Sequence, residues 1–194
     1  MHCLTITTDL NQYTNIISAT KALKKRWDIV LKRLRRELDK FHRKIEHYAN
    51  GEISEEELDE YFKNECRFDL KYGYPPESKE LKYLNSLEFS LGDGKPFEGH
   101  GAPHLHILLD NVFFNVNGIR MIREALGDHC KIIHVRRYLN TSIVKYVLKY
   151  VKKAIVLNER RDGSKYFTND MKKFVHASLY WITGCRMFSM SRTL

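Results

Sequence analysis

His104 and His106 are the residues whose type and spacing first suggest chemistry. They lie in Ala102-Pro103-His104-Leu105-His106-Ile107-Leu108-Leu109, an apolar run with proline at its entry, where no ladder donor is needed. The run predicts a strand, in which alternate side chains share a face. Both imidazoles then point one way, and Leu105 and Ile107 point the other. Two imidazoles side by side on a rigid strand can hold one divalent cation; they can equally be ordinary hydrogen-bonded histidines.

Upstream, the stretch from Lys82 to Ser90 predicts another strand, and a loop with Gly92, Gly94, Pro96, Gly99 and Gly101 joins it to the histidine strand. Two strands so joined make an antiparallel hairpin. Glu88 stands just before the loop and His104 just after it, so the two are expected as neighbours across the pair. A carboxylate there would complete a three-ligand set with positions open for substrate. Asp93 and Glu98 are rival carboxylates within the loop, and His100 is a rival imidazole. An ordinary surface carboxylate is the plainer reading of Glu88.

Downstream, Asn140 or Thr141 caps a predicted helix from Ser142 to Lys153, with Val144, Val147, Leu148 and Val151 as its buried face. Tyr146, Lys149 and Tyr150 fall at i, i+3 and i+4, on one face. A phenol beside an ammonium is an activated nucleophile in outline, because the cation favours phenolate. Simple packing would also account for tyrosines at this spacing. Only the i, i+3 pair sets the Lys149 ammonium on the same face as its phenol, which favours Tyr146 for a first attack and leaves Tyr150 open as a second acceptor.

These residues need a scaffold. Cys3 to Thr8 reads as a strand, half apolar and half threonine. Ser18 or Thr20 is placed to cap a long helix whose apolar stripe runs Leu23, Trp27, Val30, Leu34, Leu38, Phe41, Ile45 and Tyr48, ending at Asn50-Gly51. Its other faces are crowded with lysine and arginine, either solvated or facing phosphates. Ser54-Glu55-Glu56-Glu57 is a capping box opening an acidic helix to about Cys66, and Gly73-Tyr74-Pro75-Pro76 breaks the chain. A short helix from Asn117 ends at Gly127, and a strand over Lys131–Val135 closes on Arg136-Arg137, with His134 read as structural. Asn169 or Asp170 opens a last helix carrying Phe174, Leu179, Tyr180 and Trp181. The expectation is one domain over residues 1–194, with a helical insertion around 52–78 and a C-terminal helical extension over 165–194.

The chain has 194 residues, enough for one domain with a sizeable core, and 33 Lys and Arg against 24 Asp and Glu give a net charge of +9. Such a balance points to an anionic partner, most often nucleic acid, unless the basic surface is merely solvated. Cys3, Cys66, Cys130 and Cys185 are scattered, which argues against both a zinc knuckle and a disulfide framework. The opening Met1-His2-Cys3-Leu4 does not read as a signal peptide, and no apolar run has the length of a membrane span, so an intracellular protein of the host cytoplasm, with no membrane partner, is expected.

Taken together, Leu4-Thr5-Ile6-Thr7-Thr8, Leu87-Glu88-Phe89, Gly101-Ala102-Pro103-His104-Leu105-His106 and Tyr146-Val147-Leu148-Lys149-Tyr150 resemble, in order and spacing, the HUH endonucleases, and within them the rolling-circle replication initiators of small plasmids and viruses. The ending Trp181…Gly184-Cys185-Arg186-Met187-Phe188…Ser191-Arg192 is similar to that of many such initiators. The loop from Gly92 to Gly101 is longer than is usual for them, and no Walker-type Gly-x-x-x-x-Gly-Lys is present. The resemblance implies an α+β fold: a central antiparallel sheet flanked by helices, a ferredoxin- or RNA-recognition-like core with the histidines on a middle strand. It implies that Glu88, His104 and His106 hold Mg²⁺ or Mn²⁺, that Tyr146, Lys149 and Tyr150 are catalytic, and that single-stranded DNA at a replication origin is nicked and rejoined through a 5′-phosphotyrosine, with host replication proteins as further partners. Arg136, Arg137, Lys145, Lys152 and Lys153 are the cations expected near the site to bind DNA. The alternatives are a transposase or relaxase of the same class, or a non-catalytic nucleic-acid binder whose histidine pair is structural.

Overall fold

The computed structural model describes residues 2–70, 76, 78–90, 101–110, 112–128, 130–137, 157–159, 165–167 and 171–191, with the backbone alone for 133, 137, 157–159, 165–167 and 171–176. Its centre is a five-stranded antiparallel sheet. The strands are β1 (His2–Thr8), β2 (Tyr83–Phe89), β3 (Pro103–Leu109), β4 (Cys130–Arg137) and β7 (Phe188–Met190), in the order β4-β1-β3-β2-β7. β5 (Leu157–Glu159) and β6 (Lys165–Phe167) form a separate hairpin. The helices are α1 (Ile16–Ala49), α2 (Glu55–Glu60), α3 (Val116–Leu126) and α4 (Met171–Thr183). The fold is therefore α+β, with a central antiparallel sheet flanked by helices.

Alternation gives the sheet two unlike faces. Leu4, Ile6, Leu87, Phe89, Leu105, Ile107 and Leu109 join one buried cluster with Leu23, Trp27, Val30, Leu34 and Leu38 of α1 and Ile122, Ala125 and Leu126 of α3. The opposite parity carries Cys3, Thr5, Thr7, Ser86, Glu88, His104 and His106. All seven residues of β1 and all seven of β3 are buried, polar ones included.

Asn15 caps α1, rather than Ser18 or Thr20. Its side chain accepts the Ser18 N–H at 2.9 Å while Ser18 answers the Asn15 backbone, a reciprocal capping box that places Ser18 inside the first turn. Thr20 lies further in and donates to the Ile16 carbonyl at 2.7 Å. The apolar stripe also stops short of the expectation. A helix of 34 residues runs about 50 Å, whereas a strand of seven spans about 23 Å. The end of α1 outruns the sheet, leaving Ile45 36% and Tyr48 42% exposed.

Residues from the acidic segment extend the core along α1: Leu58, Tyr61, Cys66 and Phe68 are buried in the same cluster, with Phe68 edge-on to Phe41 at 5.6 Å. The predicted helix to Cys66 ends earlier, at Glu60, and continues as a π turn over Tyr61–Glu65. The C-terminal stretch is not purely helical as expected. After α4, β7 pairs with β2 through Leu84–Met190, Asn85–Ser189 and Ser86–Phe188, so the tail supplies an edge strand. All four cysteines are free thiols. No described helix is long and apolar enough to cross a membrane.

Gly118 sits inside α3, where glycine ordinarily weakens a helix. Its reason is close packing: a Cβ there would collide with the Arg67 carbonyl oxygen and press on Phe114. Gly118→Ala should therefore lower stability by about 1–3 kcal/mol, the cost of overpacking, instead of raising it as at an open helical site. Urea unfolding of the two proteins measures the sign.

Candidate functional site

Backbone register builds the site. On the polar parity one row of cross-strand partners reads Ser86, His106, Thr5, His134, and the next reads Glu88, His104, Thr7, Lys131. β3 is the middle strand of five, so both histidines stand on backbone held from either side. A slip in the β1–β4 register between Thr5 and Ile6 brings His134, rather than its neighbour, opposite Thr5.

Glu88 faces His104 across the ladder but reaches diagonally to His106, its Oε2 lying 2.9 Å from Nε2. Both side chains are nearly buried, at 12% and 11% exposure, so their attraction is screened far less than that of a surface pair. The other ring nitrogen, Nδ1, lies 3.1 Å from the Thr5 hydroxyl. An ionised carboxylate only accepts, so with Glu88 charged the His106 Nε2 donates. A neutral ring then needs a donor at Nδ1, which the Thr5 hydroxyl supplies. Thr7 donates to the Pro103 carbonyl at 3.3 Å, which ties β1 to the entry of β3 beside His104.

A cation fits between Glu88 and His106 by distance and by chemistry. Neighbouring ligands around an octahedral Mg²⁺-type ion, each bonded at about 2.1 Å, lie about 3 Å apart, close to the 2.9 Å found. Imidazole with carboxylate suits Mn²⁺ and its neighbours. With Nε2 turned to metal, Nδ1 must carry the proton and donate to Thr5, so one hydroxyl serves both states of the ring. His104 shares the face and pairs with Glu88 in register, yet among the described residues no group of three His, Cys, Asp or Glu is arranged to hold a metal.

Two further groups border the pair. His134 is held below the ordinary imidazole range by partial burial first, then by Arg136 and His106, so it favours the neutral form. Tyr180 on α4 donates to the Leu87 carbonyl and packs edge-on to Phe89 at 5.1 Å. Burial, then the Glu88 carboxylate, pushes its phenol well above the ordinary value, so it stays protonated.

The structure thus brings Glu88, His104 and His106 onto one face of adjacent strands. Arg136 is exposed on edge strand β4 and shares that face, two residues from His134. Arg137 takes the register position opposite His2, and its side chain is not described. Tyr146, Lys149, Tyr150, Lys145, Lys152 and Lys153 lie outside the described residues, as do the rival ligands Asp93, Glu98 and His100. Sequence reasoning missed Thr5 as the partner of His106. The available signal was the alternation of Thr5 and Thr7 with Leu4 and Ile6, which gives β1 one hydroxyl-bearing parity. No family model, curated protein or solved structure matches the chain.

Thr5→Val keeps the shape of the side chain and removes the hydroxyl at Nδ1. Loss of such an outer hydrogen bond to a ligating imidazole should weaken Mn²⁺ binding about tenfold. Titration calorimetry reads the affinity, and an unchanged value would show that Thr5 does not orient the ring.

Proposed function

We propose that the chain nicks and rejoins single-stranded DNA as an HUH-type endonuclease and strand transferase, initiating rolling-circle replication. The observation that carries this reading is the Glu88–His106 contact at 2.9 Å on the middle strands of the sheet, with His104 on the same face. The sequence adds a tyrosine segment and a net charge of +9.

In this reading Glu88, His104 and His106 hold Mg²⁺ or Mn²⁺. When bound, that cation polarises the scissile phosphate and helps to orient it. Thr5 fixes the His106 ring, and the rigid sheet keeps the carboxylate and the imidazole in place. The Tyr146 phenolate, favoured by the Lys149 ammonium, attacks phosphorus. A tyrosine–phosphate bond forms, the P–O3′ bond breaks, and the 3′ oxygen leaves and takes up a proton. Rejoining reverses the step: a 3′-hydroxyl loses its proton, attacks the phosphotyrosine and releases the phenolate. Each transfer exchanges one phosphoester bond for another, so no nucleotide hydrolysis is needed. Tyr150 serves as a second acceptor. Arg136, Arg137, Lys145, Lys152 and Lys153 supply backbone charge along the strand, which positions the DNA without reading its sequence.

Labelled single-stranded DNA, incubated with and without Mn²⁺, tests the reading. Nicking should require the metal and leave a covalent protein–DNA adduct. Tyr146→Phe should eliminate the adduct and Tyr150→Phe should leave it; the reverse result would exchange their roles. His104→Ala combined with His106→Ala should abolish nicking yet retain most binding, since binding rests on phosphate contacts. Binding without nicking by the intact protein, at any metal concentration, would instead identify a non-catalytic single-strand binder.

Single-strand affinity should also fall steeply with salt as several Lys and Arg displace counterions. Fluorescence anisotropy across a salt series measures the slope, and a flat line would make the positive charge a solubility feature.

A further inference from the structure

The positive charge of this protein is concentrated on one element. α1 holds eleven Lys and Arg against four Asp and Glu, a net of +7 out of +9 for the whole chain. The helix buries its apolar stripe against the core face of the sheet, and of its basic residues Lys21, Lys25, Lys32, Arg35, Arg36 and Arg43 are exposed. The sheet then stands between this surface and the Glu88–His106 pair, which occupies the opposite parity. The basic face of α1 is therefore not part of the site already described.

Lys21, Lys25, Lys32, Arg35, Arg36 and Arg43 are exposed on α1. Among the described residues none of the six enters an ion pair; the pairs on this side of the molecule use Lys40, His47 and Lys79. From Lys21 to Arg43 the row extends about 33 Å along a continuous helix, close to the roughly 34 Å of one turn of duplex DNA. Asp28 and Asp39 are the exposed acids within it.

We infer that the outer face of α1 binds the phosphate backbone of double-stranded DNA, as a surface separate from the Glu88–His106 site. Charge complementarity favours a polyanion, because a duplex presents one phosphate charge for about every 1.7 Å of its axis. Single strands are held by aromatic stacking as well as by charge. Between Lys21 and Arg43, however, both α1 aromatics, Trp27 and Phe41, are buried in the core. Insertion of a helix into an anionic membrane draws on an exposed apolar face beside the cations, and the apolar residues of this stretch pack on the core. A regular row of cations without stacking groups fits the outside of a duplex.

The test is the intact chain carrying Lys25→Gln, Lys32→Gln, Arg36→Gln and Arg43→Gln together. These side chains are exposed or at the helix rim, and glutamine is a good helix former, so thermal unfolding should be nearly unchanged. Fluorescence anisotropy is read on a duplex of about 30 base pairs, roughly three helical turns, and on an oligothymidine of about 15 nucleotides. Duplex affinity should fall at least about tenfold at moderate salt, and the slope of log affinity against log salt should flatten by about 3 to 4, one increment per lost phosphate contact. Affinity for the oligothymidine should change less than about twofold. The matching variant with Lys25→Arg and Lys32→Arg should retain duplex binding, since it keeps the charges. Unchanged duplex affinity and slope would overturn the inference. So would an equal loss on single strands, or binding through these residues to phosphatidylserine vesicles with none to duplex. The readout is binding, so the result does not depend on whether the chain cleaves DNA.

Discussion

The register between β2 and β3 is the constraint on which the site depends. Each strand presents apolar residues to the core on one parity, Leu87 and Phe89 from β2 and Leu105, Ile107 and Leu109 from β3, all of them buried. A slip of one residue would turn that strand over, because the side-chain period is two. Leucines would move to the polar face, and a carboxylate or imidazole would enter a core of leucine and phenylalanine, where an unpaired charge costs several kcal/mol. Hydrophobic packing thus fixes the placement of Glu88 against His104 and His106 without those residues having to specify it. β1 locks the same ladder from the other side, and its Thr5 arrives beside His106 by the same rule.

Stability alone gives little reason for the Glu88–His106 pair. Burying two polar side chains to about a tenth of their exposure carries a desolvation cost that their attraction only partly offsets, and well-packed apolar residues often do as well in such a place. The contact is further oriented by the Thr5 hydroxyl, which can donate or accept and so tolerates either protonation pattern of the ring. Under the proposed function, such a cost sets a carboxylate and an imidazole together as cation ligands, with an amphoteric hydroxyl to orient the ring. The buried thiols show the contrast. Burial pushes the Cys130 thiol up to about 11, opposed by Arg26, and raises Cys66 likewise, so both remain small neutral core residues.

Much of this was legible in the chain. The histidine strand, the hairpin to Glu88 and the shared face of the two imidazoles follow from a period of two, which depends on no distant contact. The apolar stripe of α1 was legible for the same reason at a period of three to four, but its limit was not. Whether Ile45 and Tyr48 are covered depends on the length of the sheet beneath them, a property of other segments. The cap at Asn15 was missed because Ser18 is also a good cap. Only the backbone conformation at Asn15 decides which residue stands outside the helix and which lies in its first turn. β7 was missed because three residues carry no periodicity, and its pairing with β2 is a tertiary event. The role of Thr5 required knowing that β1 lies beside β3, and strand order does not follow from local pattern.

The two faces of the sheet also divide the molecule's polarity. On the core side, α1 spends a narrow stripe on packing, and the rest of its circumference is free for charge; a helix facing a flat sheet needs no more than that stripe. On the other side the strands keep threonine, serine, histidine, one glutamate and Lys131 together in two adjacent rows. The +7 of α1 lies a whole sheet away from Glu88, so it can attract a polyanion without pairing with the carboxylate and pulling it from His106. Had the cations of α1 been added on the site face, beside Lys131 and Arg136, that carboxylate would have had more competing partners. Keeping the cations of α1 behind the sheet lets one small domain carry a strongly positive surface and a hydrogen-bonded imidazole–carboxylate pair together.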